Sequence, residues 1–415
     1  MLAVAAMLAL PTGTAVSQTT TFISLDQAID LALAHNHALK ATRTLILQNQ
    51  AQEITANLHP NPILGVDSQF IPVFNPQDFT ADNLNQDQQF DLGIGYLFER
   101  GRKRQRRLQA ARDQTAVTRA QVTDAERTLA FNVGQQFVSV LLAESTLQFA
   151  LEDLKGFQRT VDLSELQHKA GFIAEGDLLK IKLQLLQFQT DVSSARLARV
   201  QALVGLRELL GYDAVSSNFD VLGNLEYQPL TATLEDLQTR ALRDRPDLRA
   251  AVLGITAAKS QVLLAKANGK VDVTGTLDYS HVDGQSGLSV FASFPLPVFD
   301  RNQGEIARTT YAVTQTQEQQ QATSDMVLSD VSDAYEAVHS NDEVVRLYTS
   351  GYLQQAQDSR DISQYAYQRG AASLLDFLDA ERSYRATQLA YRQALASYMT
   401  ALEQLKEAVG TRNLP

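Results

Sequence analysis

The sequence predicts a mainly α-helical protein that also carries a small antiparallel β part. Three observations lead to this fold class. Two very long segments contain no proline, four short segments alternate apolar and polar residues, and similar blocks recur in the same order in both halves of the chain. With 44% apolar and 20% charged residues in 415, the chain is expected to fold rather than to stay disordered.

Similar blocks occur twice along the chain, which predicts an internal duplication. We expect a first repeat over residues 18–211, a linker over 212–231 and a second repeat over 232–415. Three pairs of blocks support it: SLDQAIDLALAHNHAL from Ser24 with TLEDLQTRALRDRPDL from Thr233, YLFERGRKR from Tyr96 with PVFDRNQGE from Pro297, and HKAGFIAEGDLL from His168 with YQRGAASLLDFL from Tyr367.

Each repeat contains two segments with a period of two, which is typical of strands with one apolar and one polar face. Their expected ranges are 63–74 and 88–98 in the first repeat, and 270–282 and 287–299 in the second. A half-buried sheet in a soluble protein shows the same pattern. Aromatic residues near the segment ends, including Phe74, favour a membrane barrel with interfacial girdles.

Four aspartates lie on the polar sides of these strands. If the apolar sides contact lipid, alternation directs Asp67, Asp91, Asp272 and Asp278 towards a lumen, where acidic rings favour cations. Four strands are too few to close a barrel, and open strand edges are not tolerated in lipid. Several chains must therefore share one barrel, with eight strands from two copies or twelve from three.

A long helical hairpin is predicted after each strand pair, over residues 102–210 and 302–409. The proline-free stretches 102–169 and 302–369 would each form one continuous helix on the order of 100 Å long at 1.5 Å per residue. Gly171 and Gly370 suit the left-handed residue that ends a helix. The returning helix of the second hairpin shows a heptad seam of bulky residues seven apart: Phe377, Tyr384, Tyr391, Tyr398 and Leu405.

The N-terminal residues 1–17 have the apolar run and small residues of a secretory signal peptide. No later segment shows the ~18 apolar residues of a membrane helix. The chain has no cysteine, so disulfides, thiolate metal sites and a lipidated cysteine are excluded. Its six histidines are scattered, and only His35 and His37 lie close together. No catalytic, cofactor or metal site is expected, so the chain is not predicted to be an enzyme.

Taken together, the signal peptide, the duplicated helix–strand–strand–long-helix–helix units and the glycine-turned hairpins resemble the TolC family of outer-membrane efflux proteins. The junctions FERGRKR and FDRNQG are most similar to its heavy-metal branch, the CzcC- and CusC-like partners of RND pumps. The resemblance implies a homotrimer with a shared twelve-stranded barrel and a periplasmic helical tube. It also implies an adaptor protein and an inner-membrane RND pump as partners. A type I protein-secretion outlet has the same architecture and remains an alternative.

The resemblance also assigns residues at the two hairpin tips. Tip turns that contact the adaptor would contain Gly171, Phe172, Ile173, Gly370, Ser373 and Leu374. A periplasmic aperture would be lined by Tyr367, Asp376 and Asp379, although Asp376 could simply cap its helix. Ala372 stands where TolC has a gating arginine, so the closed state must be latched differently.

One basic cluster stands out in a chain of net charge −11. Its members are Arg100, Arg102, Lys103, Arg104, Arg106 and Arg107. The cluster follows the second strand, where cationic side chains can pair with the phosphates of outer-membrane lipid. A solvated helix face is the alternative interpretation. No nucleic acid is expected as a partner, because the chain as a whole is acidic.

Overall fold

The computed structural model describes residues 21–71, 73–86 and 88–414, so the predicted signal peptide over 1–17 lies outside the described part. The chain divides into two compact units, and each is described by itself. The first unit comprises residues 1–37, 128–231 and 335–405, and the second comprises 38–127, 232–334 and 406–415.

Helices dominate the described residues, as the sequence predicts. In chain order they are α1 (Leu25–His35), α2 (His37–Asn57), α3 (Ala81–Gln86), α4 (Lys103–Lys169), α5 (Glu175–Leu210), α6 (Leu234–Asp244), α7 (Pro246–Asn268), α8 (Gln303–Leu347), α9 (Leu353–Gln368) and α10 (Leu374–Val409). A 3₁₀ turn at Pro76–Asp78 precedes α3, and a π-helical turn at Tyr348–Tyr352 joins α8 to α9.

Within the described residues, the strands form two separate sheets. They are β1 (Thr21–Ile23), β2 (Ile63–Gln69), β3 (Gln89–Phe98), β4 (Phe219–Val221), β5 (Val273–Val282) and β6 (Gln285–Ser293). In the first unit, β1 pairs in parallel with β4. Only β4 lies within 212–231, the segment predicted as a linker. In the second unit, a four-stranded antiparallel sheet has the order β2-β3-β5-β6.

Two strands of the four-stranded sheet, β2 and β6, end earlier than predicted, and the backbone explains each difference. β2 ends at Gln69 rather than at residue 74, because Phe70 has a φ of 63° that an extended strand cannot adopt. β6 ends at Ser293, shortly before Pro295 and Pro297, which cannot donate ladder hydrogen bonds. β5 and β6 meet in a two-residue turn.

That turn is Asp283–Gly284, and both residues have positive φ values, 52° and 68°. Two positive φ angles are the signature of the type I′ turn, whose twist matches that of the flanking strands. The turn places Val282 opposite Gln285 and so fixes the register of the whole hairpin. It also starts β6 at Gln285, two residues before the predicted start.

The two hairpins differ in continuity. In the first, α4 runs unbroken over 67 residues. In the second, the prediction of one continuous helix over 302–369 is wrong, because the π-helical turn separates α8 from α9. Within that turn Gly351 has a φ of 132° and a ψ of −14°, which a residue with a Cβ rarely adopts. The glycine therefore allows the break.

An aromatic core lies between α4, α5 and α10 in the first unit. Phe157 stacks on Phe188 with ring centroids 4.4 Å apart, and Phe377 lies 6.4 Å from Phe157. Val161, Ile181 and Leu374 complete this buried cluster. Further along α10, Tyr398 and Leu405 are fully buried, so part of the predicted heptad seam forms the interior.

One helix tests the prediction that the mature chain lacks an apolar segment of membrane-spanning length. Among the described residues, α7 (Pro246–Asn268) has the length and the composition of a helix that could cross a membrane. The prediction is therefore wrong as far as length and composition are concerned. Some of its side chains are buried in the second unit, among them Leu248, Ala257 and Ala265.

Candidate functional site

The register of the four-stranded sheet assigns every side chain to one of two faces, because directly paired residues point the same way. Asp67 lies opposite Asp91, and Asp278 lies opposite Gly93, two residues beyond Asp91 on the same face. Gly93 leaves the space for the Asp278 carboxylate, since a Cβ there would approach Asp278 Oδ1 to 2.6 Å. Three of the four predicted carboxylates therefore share one polar face.

The opposite face of the sheet is apolar and open. The large side chains on this face are between 38% and 80% exposed. This set consists of Leu64, Val66, Leu92, Ile94, Leu277, Tyr279, Leu288 and Val290. The strands thus carry the period of two that the sequence predicts. A single copy of the chain leaves this whole face uncovered, which is the arrangement expected of a surface that meets lipid.

Asp272, the fourth predicted lumen carboxylate, does not belong to the polar face. It precedes β5 and accepts hydrogen bonds from Lys103 Nζ at 2.6 Å and from the backbone N–H of Arg100 at 2.8 Å. Lys103 is 9% exposed. The ion pair neutralises Asp272 and ties the start of α4 to the start of β5, so the assignment of Asp272 to the lumen is corrected.

Three members of the basic cluster make side-chain contacts within the part of the chain that the structure describes. Besides Lys103, the Arg107 guanidinium pairs with Glu99 and donates to the carbonyl oxygen of Leu58 at 3.3 Å. Arg104 donates to the Asn57 side chain at 3.3 Å. These bonds join the β3–α4 junction to β5 and to the end of α2. Arg100 and Arg102, whose side chains are exposed, and Arg106, which is half-buried, remain candidates for lipid phosphates.

Both hairpin tips use the same glycine-terminated motif. Gly171 and Gly370 have φ angles of 79° and 72°. At each tip the glycine N–H and the next N–H donate back to the helix end: Gly171 to His168, Phe172 to Gln167, Gly370 to Tyr367 and Ala371 to Ala366. This is a Schellman motif, in which the left-handed glycine satisfies the last carbonyls of the helix.

The helices that return from the two tips are capped differently. Ser373 Oγ accepts from the Asp376 N–H at 3.2 Å, and the Asp376 carboxylate accepts from the Ser373 N–H and hydroxyl. Asp376 therefore has the capping role that the sequence left open for it. At the first tip Ala174 occupies the cap position and provides no side-chain hydrogen bond. The second tip turn is the better-capped one.

The residues predicted to line the aperture differ in their exposure to solvent. The side chain of Asp379 is 71% exposed and pairs at 3.3 Å with Arg382 one turn along α10. Tyr367 is half-buried and stacks on Phe377 with ring centroids 5.5 Å apart, and its place at an aperture stays a prediction. Leu374, predicted to contact an adaptor, is 7% exposed and belongs to the aromatic core.

Two other apolar side chains project from the tips. Phe172 is 81% exposed at the first tip, and Leu375 is 72% exposed at the second. Leu375 was not singled out from the sequence, because it follows Leu374 and nothing in the pattern of the turn shows which of the two faces outward. Ile173 is half-buried, and its carbonyl oxygen lies 3.1 Å from the ring Nδ1 of His168.

No group of three or more His, Cys, Asp or Glu side chains arranged to hold a metal is found among residues 21–71, 73–86 and 88–414. An amphipathic antiparallel sheet with open edges, joined in sequence to very long helical hairpins, defines the class of outer-membrane channel proteins. Comparison with known proteins agrees with this class.

A family model described as outer membrane efflux protein matches residues 28–212 and 237–411. The chain belongs to the outer membrane efflux protein family. It is accordingly a protein of the Gram-negative outer membrane with a transport function, and not an enzyme.

Two similar relatives carry metals or cations in their names. The cobalt-zinc-cadmium resistance protein CzcC of Cupriavidus metallidurans is 20% identical over 390 residues, which cover 94% of this chain and 90% of CzcC. The cation efflux system protein CusC of Escherichia coli is 27% identical over 281 residues, or 62% of this chain and 59% of CusC.

Solved structures show the same fold. A structure of CusC superposes with a TM-score of 0.74 at 20% identity, and the alignment covers 94% of each chain. The outer membrane protein VceC of Vibrio cholerae superposes with a TM-score of 0.72 at 19% identity, over 93% of this chain and 96% of VceC.

Proposed function

We propose that three copies of this chain form the outer-membrane exit duct of a tripartite RND efflux system, which passively conducts metal cations or small toxic compounds. The observation that carries this proposal is the four-stranded sheet. Within the described residues its outer strands, β2 and β6, each pair on one side only. An open edge in a bilayer leaves backbone N–H and C=O groups without partners, at several kcal/mol each.

The strand directions allow the sheet to continue between copies. Since each neighbouring pair in the order β2-β3-β5-β6 is antiparallel, β6 runs opposite to β2. A β6 edge can therefore pair with the β2 edge of the next copy without a change in pattern. Three copies give a closed ring of twelve strands, within the range of known membrane barrels.

Other parts of the proposal draw on the family and on sequence. The family model matches two separate ranges, 28–212 and 237–411, which supports an internal duplication. CzcC and CusC, whose names refer to metals or cations, favour efflux over type I protein secretion. We assign the helical hairpins to a periplasmic tube, and the exposed Phe172 and Leu375 at the tips to contacts with a periplasmic adaptor and pump.

Disulfide trapping tests the shared barrel, because the chain has no cysteine of its own. Val66→Cys in β2 is combined in turn with Leu288→Cys, Val290→Cys or Ala292→Cys in β6. We expect one of these pairs to give covalent dimers and trimers on non-reducing gels, since only one register brings the two sulfurs within bonding distance.

The matched control combines Val66→Cys with Leu277→Cys. Leu277 lies on the same apolar face but in the interior strand β5, so it cannot reach a neighbouring edge. No crosslinking is expected for this pair. A folded monomer in detergent, or equal crosslinking of the control, would contradict the proposal.

A second prediction concerns ion selectivity. Replacing Asp67, Asp91 and Asp278 together by asparagine should lower the cation-over-anion permeability ratio several-fold, because the acidic ring of the lumen is lost. Reversal potentials in planar bilayers under a salt gradient measure the ratio. Asp283→Asn is the control, because Asp283 lies in the β5–β6 turn and asparagine also tolerates its positive φ. An unchanged ratio in the triple variant would exclude these residues from the lumen.

A third prediction separates the two aspartates at the second tip. Asp379→Ala should relieve block of the channel by divalent cations added from the periplasmic side, because three exposed copies would ring a narrow opening. Asp376→Ala should instead lower stability by about 1 kcal/mol through loss of the cap, with less effect on block. Single-channel recordings and melting curves measure the two effects. If Asp379→Ala left the block at the wild-type level, Asp379 would not line the aperture.

A further inference from the structure

A cluster of buried charges lies in the first unit, where α4, α9 and α10 contribute to it. Its two most enclosed carboxyl groups are Asp153 on α4, 9% exposed, and Glu381 on α10, 6% exposed. Ionised carboxylates are costly to bury unless each has its own cation. The balance of charges around this pair therefore decides its protonation.

Arg385 is the cation nearest to Asp153. Its Nε lies 2.6 Å from Asp153 Oδ2, and its terminal nitrogen donates to Asp191 on α5 at 2.5 Å. The guanidinium also lies over the ring of Phe188, with Cζ 4.1 Å from the centroid. Arg385 is thus held by two carboxylates and an aromatic face, and its charge is already balanced.

Arg360 on α9 is the second cation. It pairs with Asp361 at 2.6 Å and lies over the ring of Tyr384, with Cζ 4.1 Å from the centroid. It also acts electrostatically on both buried carboxyl groups. Glu152 and Arg159 on α4 line the adjoining cavity. The inner cluster therefore contains two arginines for three carboxyl groups, Asp153, Asp191 and Glu381, and Arg360 also pairs with the exposed Asp361.

This imbalance is relieved by a proton. Burial and the neighbouring charge of Asp153 raise the pKa of Glu381 to about 7. Glu381 and Asp153 line the same cavity, and two ionised carboxylates that share a buried site repel each other unless one of them holds a proton. Because Arg385 Nε lies 2.6 Å from Asp153, the proton is expected on Glu381.

We propose that Glu381 and Asp153 share one proton that fastens α10 to α4, and that its release loosens α10 beside the second tip turn. The ligand of this switch is the proton itself. A cavity of about 460 Å³, lined in part by Asp153, Glu381, Thr160 and Gln364, gives water a path to the pair. The proposal rests on the proposed channel function only where it concerns opening of the tip.

The aromatic core connects the pair to the tip. Phe157 follows Asp153 by four residues on α4, and Phe377 precedes Glu381 by four on α10, so each ring lies one helical turn from a carboxyl group. Tyr367 and Leu374, which flank the second tip turn, pack against the same core. Two negative charges in place of one between α4 and α10 would push apart the helices that hold this core.

Infrared difference spectroscopy of the purified full-length protein in detergent tests the shared proton. We expect a protonated carboxyl C=O band that disappears with a midpoint near pH 7, and that is absent in Glu381→Gln. Glu152→Gln is the matched control, since Glu152 lines the same cavity but is exposed, and it should keep the band. Asp153→Asn should move the midpoint towards the ordinary glutamate value, because a neighbouring negative charge is removed.

Hydrogen exchange tests the loosening independently of any channel activity. After correction for the intrinsic rate, amides of α10 around Glu381 should exchange at least several-fold faster at pH 8 than at pH 6 in the wild type, but not in Glu381→Gln. Conductance of the wild type should rise over the same range, and that of Glu381→Gln should not. A wild type without the band, a band that persists in Glu381→Gln, or exchange that responds equally to pH in both proteins would overturn the proposal. Loss of channel activity alone, with band and exchange as expected, would overturn the proposed function instead.

Discussion

Replacing Arg385 by alanine is expected to lower the free energy of unfolding by about 3–5 kcal/mol, because it leaves a buried carboxylate without its cation. Asp153 is 9% exposed and has Arg385 Nε 2.6 Å away. Truncation also removes the guanidinium from the face of Phe188 in the aromatic core. The loss should be smaller at low pH, where the raised pKa of Asp153 allows it to become neutral.

Arg382→Ala is the control for this prediction. Arg382 lies three residues earlier on the same helix, but its side chain is 68% exposed and pairs with Asp379, which is 71% exposed. Exposed pairs of this kind contribute roughly 0–1 kcal/mol. Hydrogen exchange of the α10 amides compares the two variants. Similar losses in both would show that the buried ion pair adds nothing specific.

Phe377→Ala is expected to cost about 3–5 kcal/mol, as is typical when a buried aromatic side chain is truncated in a packed core. Phe377 is 1% exposed, and its ring lies between those of Phe157 and Tyr367. The cavity would remove packing from both sides of the second tip turn. Limited proteolysis of the tip and hydrogen exchange of α10 measure the effect.

Leu375→Ala provides the comparison for Phe377. It lies two residues away on the same helix but is 72% exposed, so its truncation should change the free energy of unfolding by less than about 0.5 kcal/mol. If the adaptor binds this tip, Leu375→Ala should weaken that binding while leaving the fold intact. Equal destabilisation by both substitutions would contradict the position of Phe377 in the core.

Local patterns explain why much of the fold could be predicted from the sequence. Alternation in β3 and β5 depends on period alone, and both strands lie where it places them, within three residues at each end. Gly171 and Gly370 end their helices because a left-handed residue is needed there. The end of β2 could not be predicted, since nothing in the sequence shows that Phe70 turns to positive φ.

The buried charges were missed for a different reason. Asp153 and Glu381 lie on separate helices and are far apart in sequence, so no short motif contains both. A signal was nevertheless present, because Glu381 and Arg385 follow Phe377 by four and eight residues and so share its inward helix face. Charges on the core side of a heptad seam indicate an interior ion pair.

The π-helical turn at Tyr348–Tyr352 also determines where the second hairpin bends most easily. An unbroken helix such as α4 resists bending because every i→i−4 hydrogen bond along its length must be strained. At Gly351 that ladder is already interrupted, so bending concentrates at one point, about 26 Å from the end of α9 at 1.5 Å per residue. The first hairpin is therefore expected to be stiff along its whole length, and the second to bend at Gly351.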